Sequence, residues 1–211
     1  LRQLSHEALD RRLLEYEKLE SSNQIQRVYQ RLMKRSFLEQ LGAFPERTPL
    51  NAEIVGEKEY SDYRLEKVIF ESQPGFYVTG LLYLPKTDPP YPGVLVPCGH
   101  TANGKAGYQH ICILLAQNGM AAFCYDPIGQ GERSQVLNDR GQPIYGPTTE
   151  HMIEGVAPIL LGRNLATYMI WDGMRAIDYM QSRDEIDRDA IGCTGNSGGG
   201  MLTSYLMALD G

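Results

Sequence analysis

Ala190-Ile191-Gly192-Cys193-Thr194-Gly195-Asn196-Ser197-Gly198-Gly199-Gly200 is the stretch that decides how this chain folds. A short strand-like run leads into Gly195, and a helix-like run from Gly199 to Leu209 leads away. Strand, Gly-x-Ser-x-Gly, helix is the context in which the pentapeptide presents a serine as a nucleophile. A hydroxyl is a weak nucleophile until it is exposed at a sharp turn and given a base. Glycines two residues to either side remove side chains that would collide there. Ser197 is therefore the candidate nucleophile. The Gly198 N–H, at the start of the following helix, is the first candidate donor to an oxyanion.

Upstream, the rhythm is strand, loop, helix. Gly93 to Cys98 predicts a strand, Tyr108 to Gln117 a helix stopped at Asn118-Gly119, and Met120 to Tyr125 a strand. Leu165 to Arg183 predicts a long helix before the strand Ala190 to Thr194. Strands alternating with helices imply a mostly parallel sheet with helices on both faces, an α/β class. Before it, Tyr63 to Glu71 and Phe76 to Leu84 flank Gln73-Pro74-Gly75 and predict an antiparallel hairpin. Gly129 to Leu161, rich in Gly, Pro and polar residues, is expected to pass over the strand ends where substrate approaches. Ser5 to about Leu41 is helical in period, with a break at Ser21-Ser22-Asn23 and a stop at Gly42. These features divide the chain into a helical appendage, residues 1–48, and an α/β domain, residues 49–211.

Composition narrows the function. The chain has 211 residues, 42% hydrophobic and 22% charged, which suits a globular domain with a real core. A net charge of −6 without a Lys/Arg run argues against nucleic acid, and no segment approaches the roughly 20 apolar residues that span a bilayer. Cys98, Cys112, Cys124 and Cys193 match no zinc spacing and read as structural thiols, with a disulfide left open. No metal or cofactor is expected: there is no His-Glu-x-x-His or Walker pattern, and the glycines around Ser197 do not follow Gly-x-Gly-x-x-Gly. Leu1 is not an initiator methionine and no signal peptide is visible, so the compartment is not readable here; a soluble, bacterial-type protein, cytoplasmic or exported, is the expectation. Asp172 and Arg175, three apart on one predicted helix, are expected to pair.

Asp187 to Gly200, the helix Tyr168 to Tyr179, and the motifs Val94 to His100 and Tyr125 to Ser134 together resemble bacterial acetyl xylan esterase-like hydrolases. These belong to the prolyl-oligopeptidase-related branch of the α/β-hydrolases, and the resemblance runs from about Tyr63 onward. It implies an α/β-hydrolase fold and a serine esterase removing small acyl groups, such as acetyl, from carbohydrate through an acyl-enzyme. It also implies a second oxyanion donor on the loop after the Gly93–Cys98 strand, at the backbone N–H of His100 with Thr101 next. Cys98 stands where many relatives carry the histidine of a His-Gly turn. Asp126 would order its own strand-end loop. A prolyl-oligopeptidase-type peptidase and a non-catalytic binding or assembly domain are the alternatives.

The triad order in that fold is Ser, then Asp or Glu, then His. Only 14 residues follow Ser197, Asp210 is the one acid among them, and His6, His100, His110 and His151 all precede it. A 14-residue helix is about 21 Å long and leads away from the elbow. The sheet thus reads as cut off after the nucleophile helix, with the acid and histidine outside the chain. Three accounts stay open: the front of a longer esterase, a truncated hydrolase self-associating or forming a homo-oligomer through an open sheet edge, or an upstream histidine in an unusual site.

Overall fold

The structure, a computed structural model, describes residues 2–19 and 23–210. The proposed helix break at Ser21-Ser22 lies outside the described residues, although Asn23 begins a helix. The chain forms two compact units, residues 1–43 and 44–211. The first is a pair of helices, α1 (Arg2–Leu19) and α2 (Asn23–Leu41), in which the Tyr16 and Tyr29 rings meet edge to face at 6.3 Å. Gly42 follows α2 with φ of +79°, the left-handed turn that ends helices without a Cβ penalty.

The second unit is a six-stranded sheet, β1 (Glu53–Glu59), β2 (Tyr63–Gln73), β3 (Phe76–Pro85), β4 (Tyr91–Leu95), β5 (Ala121–Tyr125) and β6 (Ile186–Cys193), in the order β1-β2-β3-β5-β4-β6. β2 and β3 form the expected hairpin, with Gln73 opposite Phe76. Pro74 followed by Gly75 at φ +73° is the residue order of a type II turn. β3 meets β5 antiparallel, and β5, β4 and β6 run parallel. β1 had no counterpart in the sequence reading. Glu-Ile-Val-Gly-Glu-Lys-Glu is exposed along nearly its whole length and carries a register shift between Ile54 and Gly56, so it has no buried face to impose alternation.

β5 is the centre of the core. All five of its residues are buried, and side chains alternate between the two faces. Ala122 and Cys124 pack with Tyr83, Val96, Cys98, Cys112 and Ala116, the last two from α3 (Gln109–Gln117). Phe123 packs on the opposite face, against Phe70 and against Tyr179 of α6 (Leu165–Gln181), with ring centroids at 6.2 and 5.0 Å. Helices thus cover both faces. α3 ends where Asn118-Gly119 placed it, with Gly119 at φ +82°, and α6 is capped by Asn164, whose side chain accepts from the Thr167 N–H at 3.1 Å. The four cysteines are free; Cys98 and Cys124 approach to 3.4 Å between sulfurs.

One expectation is corrected. Asp172 and Arg175 do not pair. Asp172 accepts from Arg133 at 2.8 Å and Arg175 donates to Asp178 at 2.5 Å, because Asp172 faces the buried loop after β5 while Arg175 reaches toward the C-terminal end of its helix. The stretch 129–161, expected to pass over the strand ends, carries helices of its own. It contains α4 (Pro147–Glu154) and α5 (Val156–Leu160). Among the described residues no helix is long and apolar enough to cross a membrane.

The chain leaves β4 through α3 to reach β5 on one side, then leaves β5 through α6 to reach β6 on the other side of β4. Strand order reverses here, and the crevice outside the carboxyl ends of such strands is where ligands bind in open α/β sheets. Three segments meet at that end: the turn after β4, the long connection after β5, and Thr194 to Ser197 after β6.

Candidate active site

The Thr194 N–H donates to the Leu95 carbonyl at 3.0 Å, holding the end of β6 beside β4. The chain then turns within three residues into α7 (Gly198–Leu209). Ser197 is exposed at the tip with φ of 54° and ψ of −121°, a conformation that a residue with a Cβ adopts at a cost of about 1–3 kcal/mol. Hydrogen bonds on both sides enforce it: the Gly199 N–H donates to Asn196 O at 2.9 Å, and the Met201 N–H to Ser197 O at 3.0 Å. A Cβ on Gly195 would overlap the Gly199 backbone. Gly195 needs to be glycine because the chain folds back on itself, and Gly199 because the backbone leaving β4 at Pro97 fills the space of its Cβ.

Gly99, in the turn after β4, lies directly against the elbow. A Cβ there would stand 2.5 Å from Asn196 O and 3.2 Å from the Ser197 Cβ. Its N–H donates to the Tyr108 hydroxyl at 2.7 Å, and its carbonyl accepts from the buried Gln130 side chain at 3.0 Å. Neighbouring His100 packs its ring against Gly198: a Cβ on that glycine would lie 3.1 Å from both His100 Nδ1 and Cε1. Thr101 turns away. Its carbonyl accepts from the Gly104 N–H at 3.1 Å, its hydroxyl from the Asn103 N–H at 3.3 Å, and its side chain faces Gly107. Ser197, Gly198 and His100 are thus brought together, and Thr101 belongs to the adjoining turn.

His151 was not selected from the sequence. Its Nδ1 lies 3.0 Å from His100 Nε2, and its Nε2 lies 2.7 Å from the Ile128 carbonyl. Burial pulls its pKa below the ordinary histidine value, partly offset by the Ile128 carbonyl. Gln130 and Tyr108 were also missed. All three are ordinary polar residues until the fold places them around Gly99 and His100, and no local spacing signals that. Among the described residues no histidine or carboxylate hydrogen-bonds the Ser197 side chain, and no group of three or more His, Cys, Asp or Glu residues could hold a metal.

Asp126 is fully buried at the end of β5 and organises its loop. It accepts from the Lys105 backbone N–H at 2.7 Å, the Lys105 ammonium, the Thr79 hydroxyl at 2.8 Å and the Glu132 N–H at 3.2 Å. A carboxylate that fully satisfied is a structural hub, which matches the expectation for it.

A mixed sheet with antiparallel leading strands, helices on both faces and a strained serine at a strand-to-helix turn defines an α/β-hydrolase fold. Residues 46–211 match the acetyl xylan esterase (AXE1) family, and the chain belongs to it. YtaP of Bacillus subtilis (strain 168), named as a hydrolase, is 26% identical over 187 residues, covering 81% of this chain and 57% of that protein. A Bacteroides fragilis NCTC 9343 protein assigned as an acetyl xylan esterase superposes with a TM-score of 0.76 at 22% identity, over 89% of this chain and 51% of that one. The methylesterase BT1017 superposes with a TM-score of 0.65 at 26% identity, over 94% of this chain and 42% of that one. The chain spans about half the length of the relatives it matches.

Proposed function

We propose that this protein carries the nucleophile half of a serine carboxylic-ester hydrolase acting on small acyl esters of carbohydrate, acetyl esters in the first instance. Ser197 attacks the ester carbonyl. The developing oxyanion is held by the Gly198 N–H, which has no intrahelical acceptor at the first position of α7, and by the His100 N–H. Collapse expels the alcohol and leaves an acyl-Ser197, which water then hydrolyses. Activation of Ser197 also needs a general base within hydrogen-bond reach of its hydroxyl. The observation that carries the reading is the strained backbone of Ser197, exposed at the carboxyl end of β6 and pressed against Gly99 of the neighbouring turn. Strain of this kind persists only where surrounding contacts impose it, and here those contacts come from the elbow glycines and the turn after β4.

The similarity to a methylesterase supports a second reading, in which the small group is the alcohol and the acyl part is a carbohydrate carboxylate. Rates on an acetylated xylo-oligosaccharide and on a methyl uronate separate the two. On either substrate Ser197→Ala should lower kcat/KM by several orders of magnitude. Near-normal turnover in that variant would remove Ser197 from the reaction.

A further inference from the structure

Hydrogen-bond arithmetic fixes the protonation of the two histidines beside the elbow. The Ile128 carbonyl can only accept, so His151 carries its proton on Nε2. A neutral His151 then offers a bare Nδ1, and the 3.0 Å contact requires His100 to donate from Nε2. His100 is left with a bare Nδ1. That atom lies on the ring edge facing Gly198, the residue after the nucleophile. The chain Ile128 carbonyl, His151, His100 thus ends in a lone pair beside the place where an ester bound to Ser197 would sit.

Burial lowers the His151 pKa below the ordinary histidine value, which favours the neutral, accepting form. Glu150 and Glu154 share α4 with His151, Arg133 lies on the loop after β5 near Glu154, Gly129 packs against the His151 ring, and Gly198 of α7 packs against the His100 ring. None of these is a hydrogen-bond partner of His100 Nδ1 among the described residues, and His100 is exposed toward solvent.

We infer that His151 is a positioning residue. It holds His100 in the Nε2–H form so that His100 Nδ1 accepts a hydrogen bond from a free hydroxyl of the substrate next to the ester. The inference rests on Ser197 being the nucleophile, and it adds the substrate feature that the site reads: a polyhydroxylated alcohol. A lone pair in this position discriminates by accepting from a hydroxyl that a simple aryl or alkyl ester lacks.

Long-range proton–nitrogen NMR of the imidazoles at pH 7.5 tests the tautomers without any turnover. Both rings should be in the Nε2–H form in the protein. In His151→Phe, His100 should become a mixture of tautomers, and His151→Asn, whose side-chain oxygen takes the place of Nδ1, should restore the single form. Kinetics supply the second arm. Relative to p-nitrophenyl acetate, kcat/KM for a sugar acetate with a free neighbouring hydroxyl should fall about tenfold further in His151→Phe, the size of one net hydrogen bond. The excess loss should recover in His151→Asn. An unchanged His100 tautomer in His151→Phe, or equal losses on both substrates, would overturn the inference. Ser197→Ala is scored separately, so failure of the nucleophile assignment is distinguishable from failure of this one.

Discussion

The carbonyl oxygen of Pro97 occupies the space in which a Cβ on Gly199 would stand. The first turn of α7 therefore rests directly on the backbone that leaves β4, and the depth of the Ser197 elbow is set by that contact. Gly199→Ala must push these two segments apart. Overpacking of this kind costs about 1–3 kcal/mol. Gly192→Ala is the matched control, since a Cβ there meets nothing within 4 Å. Urea unfolding should show a lower midpoint for Gly199→Ala and an unchanged or slightly higher one for Gly192→Ala. Equal midpoints would show that the elbow is not limited by Pro97.

Arg133 and Asp172 form a buried ion pair at 2.8 Å that ties the loop after β5 to α6. Arg133 also donates to the Asp126 carbonyl at 2.9 Å and lies over the Phe76 ring. Asp172→Ala leaves a guanidinium buried without its counter-charge, at a cost of about 3–5 kcal/mol. Arg133→Met with Asp172→Leu should lose less than the sum of the two single changes. A double-mutant cycle on unfolding free energies reads the coupling, and strict additivity would deny the pair any role.

The carboxyl of Glu154 is pushed up to about 7, first by burial and then by Glu150 beside it. Its ordinary value is near 4.5, so between about 4.5 and 7 the folded protein binds this proton more tightly than the unfolded chain does. The stability contributed by the neutral form is complete at the acid end and is lost as pH rises through that window. Glu154→Gln mimics the neutral acid at every pH. Its Tm should match the parent at pH 5 and exceed it at pH 8. A constant difference across the range would place Glu154 in solvent.

Gln130 is buried, and its amide donates to the Gly99 carbonyl at 3.0 Å, which orients the peptide between Gly99 and His100. Gln130→Ala frees that peptide. If its N–H is an oxyanion donor, kcat on p-nitrophenyl acetate should fall about 10- to 100-fold with KM changed much less. An unchanged kcat would separate Gln130 from the reaction, and a rise in KM alone would mark it as a binding residue.

Legibility in the sequence followed the range of the interaction. The β2–β3 hairpin was readable because Pro74-Gly75 dictates a turn whatever surrounds it, and the end of α3 because Gly119 alone tolerates its φ. β1 was not readable, since an edge strand exposed on both sides has no alternation to display. The expected Asp172–Arg175 pair failed for a related reason. Helical spacing permits the contact, but Arg133 arrives from 39 residues away and satisfies Asp172 instead.

The elbow is the case in which sequence alone sufficed. Gly195, Ser197 and Gly199 specify a backbone path that few other residues could follow, so the pentapeptide in its strand-to-helix context determines the turn and the exposed hydroxyl. Its surroundings were decided only by the tertiary structure. Gly99, Tyr108, Gln130 and His151 come from separate segments that meet because β4, β5 and β6 end at one edge of the sheet and strand order reverses there. Hydrogen bonds and ring contacts act over a few ångströms of space. Sequence patterns report only the contacts that are also close along the chain.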